Sequence, residues 1–113
     1  MTYAYSPPPG PGDPYSLRDL VWCRLCDVAM VPVFIVGSES VRYYACTKQT
    51  CPRVPVPAEV IENLVWFEYA QLYALPNAWD ITEPERGPRL VKALEQVKLG
   101  LELFERTYRW QGE

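Results

Sequence analysis

The chain contains no histidine at all. That removes the commonest general base, any Ser-His or Cys-His nucleophile pair, and every imidazole ligand for a metal. There is no apolar run near the roughly 20 residues a membrane helix needs. The opening Met1-Thr2-Tyr3-Ala4-Tyr5-Ser6 lacks the basic and apolar regions of a secretory signal, so a reducing, cytoplasmic setting is expected. No glycine-rich phosphate cradle and no paired carboxylates in a recognisable motif occur, so no enzymatic activity and no small-molecule substrate are expected. Charge is nearly balanced, at -3 over 113 residues, which announces neither nucleic acid nor a membrane surface.

What the chain does have is proline at one end, cysteine in the middle and apolar periodicity beyond. Residues 1–16 carry Pro7, Pro8, Pro9, Pro11 and Pro14 with Gly10 and Gly12, which reads as an extended or disordered tail, or a ligand for an aromatic groove. From Leu17 the texture changes. Ala29–Val36 and Val41–Cys46 are β-rich runs joined by Gly37-Ser38-Glu39-Ser40, a hairpin signature. Pro32 cannot donate to a ladder, which places its strand at an edge or a bulge. Tyr43 and Tyr44 point to opposite faces of their strand, so at least one belongs to the core.

Pro57-Ala58-Glu59 opens a helix, with proline in the first turn and a carboxylate at the positive end of the dipole. Val60, Ile61, Leu64, Phe67 and Leu72 form its apolar stripe, and Pro76 ends it. A second helix is expected over about 88–109. There Leu90, Leu94, Val97, Leu101, Phe104 and Tyr108 recur at spacings of four and three, a coiled-coil-like seam. The seam would pack on the first helix in an antiparallel hairpin, or meet another chain. The expected organisation is a tail (1–16), a β-ribbon of three short antiparallel strands (17–56) and a two-helix region (57–113, helices about 57–74 and 88–109), an α+β class.

Cysteine carries the chemistry. Cys23-Arg24-Leu25-Cys26 is a C-x₂-C knuckle and Cys46-Thr47-Lys48-Gln49-Thr50-Cys51 a C-x₄-C. The hairpin between them returns the chain on itself, so both pairs meet at one end of the sheet. Four thiolates with no open position suit one structural Zn²⁺. An iron–sulfur cluster, a redox pair and, in an exported protein, two disulfides are the alternatives. Arg24, Arg42, Lys48 and Arg53 give this region a local charge of +2 against Asp27 and Glu39, whereas residues 57–113 hold six basic and ten acidic residues, a balance of -4.

The stretch from Leu17 to about Tyr73 resembles the zinc β-ribbon domain of large serine recombinases of the phage-integrase and transposon type. The likeness rests on Leu20-Val21-Trp22-Cys23-Arg24-Leu25-Cys26 with Met30, on Arg42-Tyr43-Tyr44-Ala45-Cys46, and on Cys51-Pro52 through Val56-Pro57-Ala58-Glu59-Val60-Ile61-Glu62-Asn63-Leu64-Val65-Trp66. By position, the resemblance makes Cys23, Cys26, Cys46 and Cys51 the ligands. It also implies that the ribbon contacts DNA and that a coiled coil leads from it to other subunits. Asp27 stands where that family usually has glycine, a substitution compatible with a left-handed turn. No serine nucleophile with its arginine cluster precedes the ribbon, so a free-standing ribbon without the catalytic domain is expected. Two functions follow: an accessory DNA-binding module with Arg24, Arg42, Lys48 and Arg53 on phosphates, or a zinc-stapled module that binds a recombinase or self-associates.

Overall fold

The computed structural model describes residues 2–5, 15–36 and 41–112. The proline-rich residues 6–14 and the Gly37–Ser40 turn lie outside the described residues. The fold is mixed α+β: two four-stranded sheets and two helices around one core. In chain order the strands are β1 (Thr2–Tyr5), β2 (Val21–Cys23), β3 (Val28–Ala29), β4 (Val31–Val36), β5 (Val41–Ala45) and β6 (Val56–Pro57). Helix α1 (Ala58–Leu72), a single 3-10 turn (Ala78–Asp80) and helix α2 (Glu83–Ala93) follow. The chain ends in β7 (Leu94–Leu99), a second 3-10 turn (Leu103–Glu105) and β8 (Thr107–Trp110).

One sheet has the order β1-β4-β5-β6, the other β3-β2-β7-β8. The chain crosses between them at Met30, which is buried and donates its N–H to Val21 O at 2.8 Å. The β4–β5 pair is the expected hairpin, antiparallel from Val31↔Ala45 to Ile35↔Val41. β4 is an inner strand between β1 and β5, not the edge or bulge expected from Pro32, but Pro32 sits one residue beyond the pairing with β1, which starts at Tyr5↔Val33, so its missing donor leaves no gap in that ladder. Tyr44 is fully buried and Tyr43 half-buried, as alternation requires.

The structure corrects three further expectations. The tail is extended at Thr2–Tyr5 but not free: that segment pairs antiparallel with β4, and Tyr15 is buried with its hydroxyl donating to Val33 O at 2.7 Å. Of the apolar stripe expected to seat α1, only Ile61 is buried and Leu64 half-buried. Ala58, Ile61, Val65, Trp66, Tyr69 and Ala70 point inward, while Val60, Phe67 and Leu72 are exposed. Most of the expected helix 88–109 is not helical, and no coiled-coil seam forms. After Ala93 the chain becomes strand, pairing parallel with β2 (Val21↔Val97) on one side and antiparallel with β8 on the other. Leu90, Leu94 and Val97 are buried, but Leu101 and Phe104 face solvent at 49% and 78% exposure. A central strand position pairs Val97 and Lys98 on both edges, and that tertiary pairing overrides helical spacing.

A polar clasp joins the entry segment to sheet and helix. Glu62 on α1 accepts a bidentate pair from Arg42 on β5 (3.2 and 3.0 Å), the Tyr44 hydroxyl (2.8 Å) and the Ser16 N–H (3.2 Å). The Leu17 N–H donates to the same hydroxyl at 3.1 Å. Burial, with the neighbouring Glu62 charge, pushes the Tyr44 phenol well above its ordinary pKa, so it stays a neutral donor. Tyr44→Phe should therefore leave the Leu17 N–H without its acceptor and Glu62 short of a donor. The expected loss is about 1–3 kcal/mol of unfolding free energy, read from denaturant midpoints at an unchanged m-value.

Candidate metal centre

Each cysteine is set by a local device. Cys23 ends β2, fully buried, with its backbone paired to Val28 on β3 and Leu99 on β7. The chain then reverses within four residues: Asp27 N–H donates to Cys23 O at 2.8 Å, and Asp27 takes a left-handed φ of 54°. Aspartate tolerates that conformation better than most side chains, and here its carboxylate is also held by Lys98 Nζ at 2.7 Å. This is the knuckle anticipated from the Cys23–Cys26 spacing. Cys46 lies one residue past β5, and Cys51 follows a turn closed by its N–H on Lys48 O at 3.1 Å. The two pairs thus come from different sheets, and their sulfurs meet where the sheet ends converge.

All four Sγ atoms lie within 4.8 Å of one another, and Cys23 Sγ to Cys51 Sγ is 3.6 Å. None is joined in a disulfide. A tetrahedral four-thiolate site with metal–sulfur bonds of about 2.3 Å has sulfur–sulfur edges of about 3.8 Å, so the cluster is of the right size to hold a metal ion. Backbone amides point at the sulfurs: Lys48 N–H at 3.5 Å from Cys46 Sγ and Arg53 N–H at 3.4 Å from Cys51 Sγ.

The electrostatics point the same way. Contact with the Cys51 sulfur first, then burial and the other two cysteines, push the Cys26 thiol up to about 12. Burial chiefly raises Cys23 as well. Burial works to raise Cys51 too, but the Arg53 amide and the three neighbouring thiols donate to its sulfur and hold it below its ordinary value. Four sulfurs this close cannot all ionise unless a cation stands among them, and that is the donor chemistry a soft divalent ion requires.

The four basic residues singled out from sequence fare differently. Arg24 and Lys48 are exposed in the two cysteine loops, Arg24 also reaching Glu105 O through Nη1 at 3.4 Å. Arg42 is committed to Glu62, with its guanidinium 5.2 Å from the Tyr15 ring centroid. Arg53 is only 8% exposed, its Nη1 on Val54 O at 2.9 Å. The structure therefore brings Arg24 and Lys48 to the loops of the cysteine cluster and withdraws the other two. Sequence reasoning passed over Arg89 and Lys92, both exposed on α2. Each directly precedes a buried residue of the helix, Leu90 and Ala93. They stand by the Leu94 end of β7, away from the cysteines at its Leu99 end.

Among the described residues no helix is long and apolar enough to cross a membrane. No protein-family model matches the chain, and no curated protein matches it. A solved structure from work on the sequence requirements of the Listeria innocua prophage attP site is similar at a TM-score of 0.63 and 18% identity. The match covers 88% of this chain and 44% of that one, so the chain spans less than half its length. At that identity the similarity is one of fold, and this chain has the fold of part of that attP-site structure.

Proposed function

We propose that the chain is a non-catalytic zinc-binding module of the recombinase type that docks on DNA. The observation carrying the reading is the four-sulfur cluster at the junction of the two sheets. Cys23, Cys26, Cys46 and Cys51 would hold one zinc ion, which in such a closed site supplies folding energy and no open position for chemistry. Zinc is preferred to an iron–sulfur cluster because one ion suffices for four thiolates in two short knuckles flanking a hairpin.

The DNA reading is supported by the fold shared with the attP-site structure and by the two exposed cations beside the ligands, Arg24 and Lys48. Neutralising phosphates gives a salt-dependent affinity, modest for so few charges. Duplex binding should appear at low salt, weaken steeply as salt rises, and weaken again in Arg24→Ala/Lys48→Ala. The double variant should lower the slope of log affinity against log salt by about two. No shift of any duplex at low salt, with metal bound, would refute it. The second reading is a module that binds a recombinase or a second copy. It is favoured by the withdrawal of Arg42 and Arg53 into internal contacts, which halves the cation set available to phosphate.

A further inference from the structure

Helix α1 is apolar on both sides. Its inner face is filled by Ile61, Val65, Trp66 and Tyr69, yet Val60, Leu64 and Phe67 line up on the opposite face at spacings of four and three. Val60 and Phe67 are 43% and 46% exposed. Apolar side chains grouped on an exposed helix face mark an interaction site. Beside Phe67 stands Trp79, 56% exposed, their ring centroids 6.5 Å apart.

Trp79 is exposed but fixed. Trp66 Nε1 donates to Ala78 O at 3.0 Å, which ties the 3-10 turn down on α1. The Arg86 guanidinium lies between the buried Trp66 ring and Trp79, 5.2 and 5.3 Å from their centroids. Arg86 is itself anchored on Ile81 O at 3.0 Å. An indole held this way loses little freedom when it is covered, which is what an interface anchor needs.

Charge selects the occupant. Helix α1 carries Glu59, Glu62 and Glu68 and no lysine or arginine. Glu62 is paired with Arg42, and Glu68 stands 3.9 Å from Arg106, but Glu59 on α1, Asp80 next to Trp79 and Glu85 on α2 are exposed, while the cation at Trp79, Arg86, is already taken up against the two indoles. Those carboxylates repel phosphate, and a second copy would bring the same charges against them. We infer that the outer face of α1 with Trp79 is a docking surface for an amphipathic helix of another protein, apolar along one stripe and flanked by lysine or arginine. The surface shares no residue with the four cysteines, Arg24 or Lys48, and does not depend on DNA binding there.

The test uses the metal-loaded protein and two synthetic amphipathic helical peptides of about five turns. Both have leucine at the apolar heptad positions; one is flanked by lysine, the other by glutamate. The lysine peptide should bind in calorimetry and the glutamate peptide should not. Trp79→Ala and Phe67→Ser should each weaken binding about tenfold or more, with metal content and melting temperature unchanged. Glu59→Lys/Asp80→Lys should reverse the preference between peptides, which keeps the test decisive if either aromatic variant folds poorly. Equal binding of both peptides, or unaltered binding by Trp79→Ala, would overturn the inference. So would a wild-type dimer in sedimentation that Phe67→Ser converts to monomer, since the face would then belong to a second copy.

Discussion

Stripping the metal with a strong chelator, or replacing Cys23 with serine, should unfold the protein. Cys23 is the most demanding of the four positions. Its side chain is fully buried, and its backbone belongs to the strand that pairs with both β3 and β7. The cluster also joins the two sheets, since Cys23 ends a strand of one and Cys46 follows a strand of the other. Structural zinc sites contribute about 10–16 kcal/mol of apparent binding energy at neutral pH. Whole domains are stable by only about 5–15 kcal/mol. Loss of the ion therefore removes as much as the folded state has. The near-UV aromatic signal should collapse, because Tyr44 and Trp66 are fully buried reporters of that packing, and metal analysis of the native protein should find one zinc per chain.

Acid should act in the same direction. Thiols must lose protons to bind the cation, and Cys26 in particular is held up to about 12 without one. Lowering pH thus favours the protonated, metal-free state, by up to about tenfold in apparent affinity per pH unit for each proton released. A chelated sample that keeps its near-UV signal would refute the claim. So would a native protein with no bound metal.

Much of the metal end is legible in the sequence because short-range chemistry dictates it. The two cysteine spacings, the β-rich runs around Gly37–Ser40 and the Pro57-Ala58-Glu59 helix start are local signals, and the structure follows them at β4, β5 and α1. Asp27 at φ 54° belongs to the same class. The misreadings lie where long-range pairing decides. The apolar residues of α1 occur on two faces, and Val60 or Phe67 carries no local mark that says it points outward; the buried partners of Ile61, Val65 and Trp66 come from distant strands. Which arginines are free is equally non-local: Arg42 meets Glu62 across 20 residues. The C-terminal segment did carry a weak strand signal. Thr107-Tyr108-Arg109-Trp110 alternates, with Trp110 buried and both Thr107 and Arg109 exposed. Gly100 sits at the turn before it, where a Cβ would come within 2.9 Å of the Glu105 Cβ.

The two descriptions of that segment, helical seam and central strand, predict opposite results for a pair of substitutions. In a seam of spacing four and three, Val97 and Leu101 are consecutive buried positions, and aspartate at either would be equally damaging. In the structure Val97 is fully buried in β7 between Val21 and Tyr108, whereas Leu101 is 49% exposed in the connection to β8. Val97→Asp places an unpaired carboxylate in the core beside the strand that carries Cys23. The cost should be about 4 kcal/mol or more, from lost packing and charge burial together, enough to unfold the chain or strip its metal. Leu101→Asp should stay within about 0.5–1 kcal/mol of the parent, as substitutions at exposed positions do. Thermal denaturation of the two metal-loaded variants gives the comparison. Equal, large losses at both positions would restore the helix and remove β7 from its place beside β2. Retention of zinc and stability by Val97→Asp would mean that the C-terminal strands are dispensable to the metal end, against the parallel register that sets Val21, Trp22 and Cys23 opposite Val97, Lys98 and Leu99.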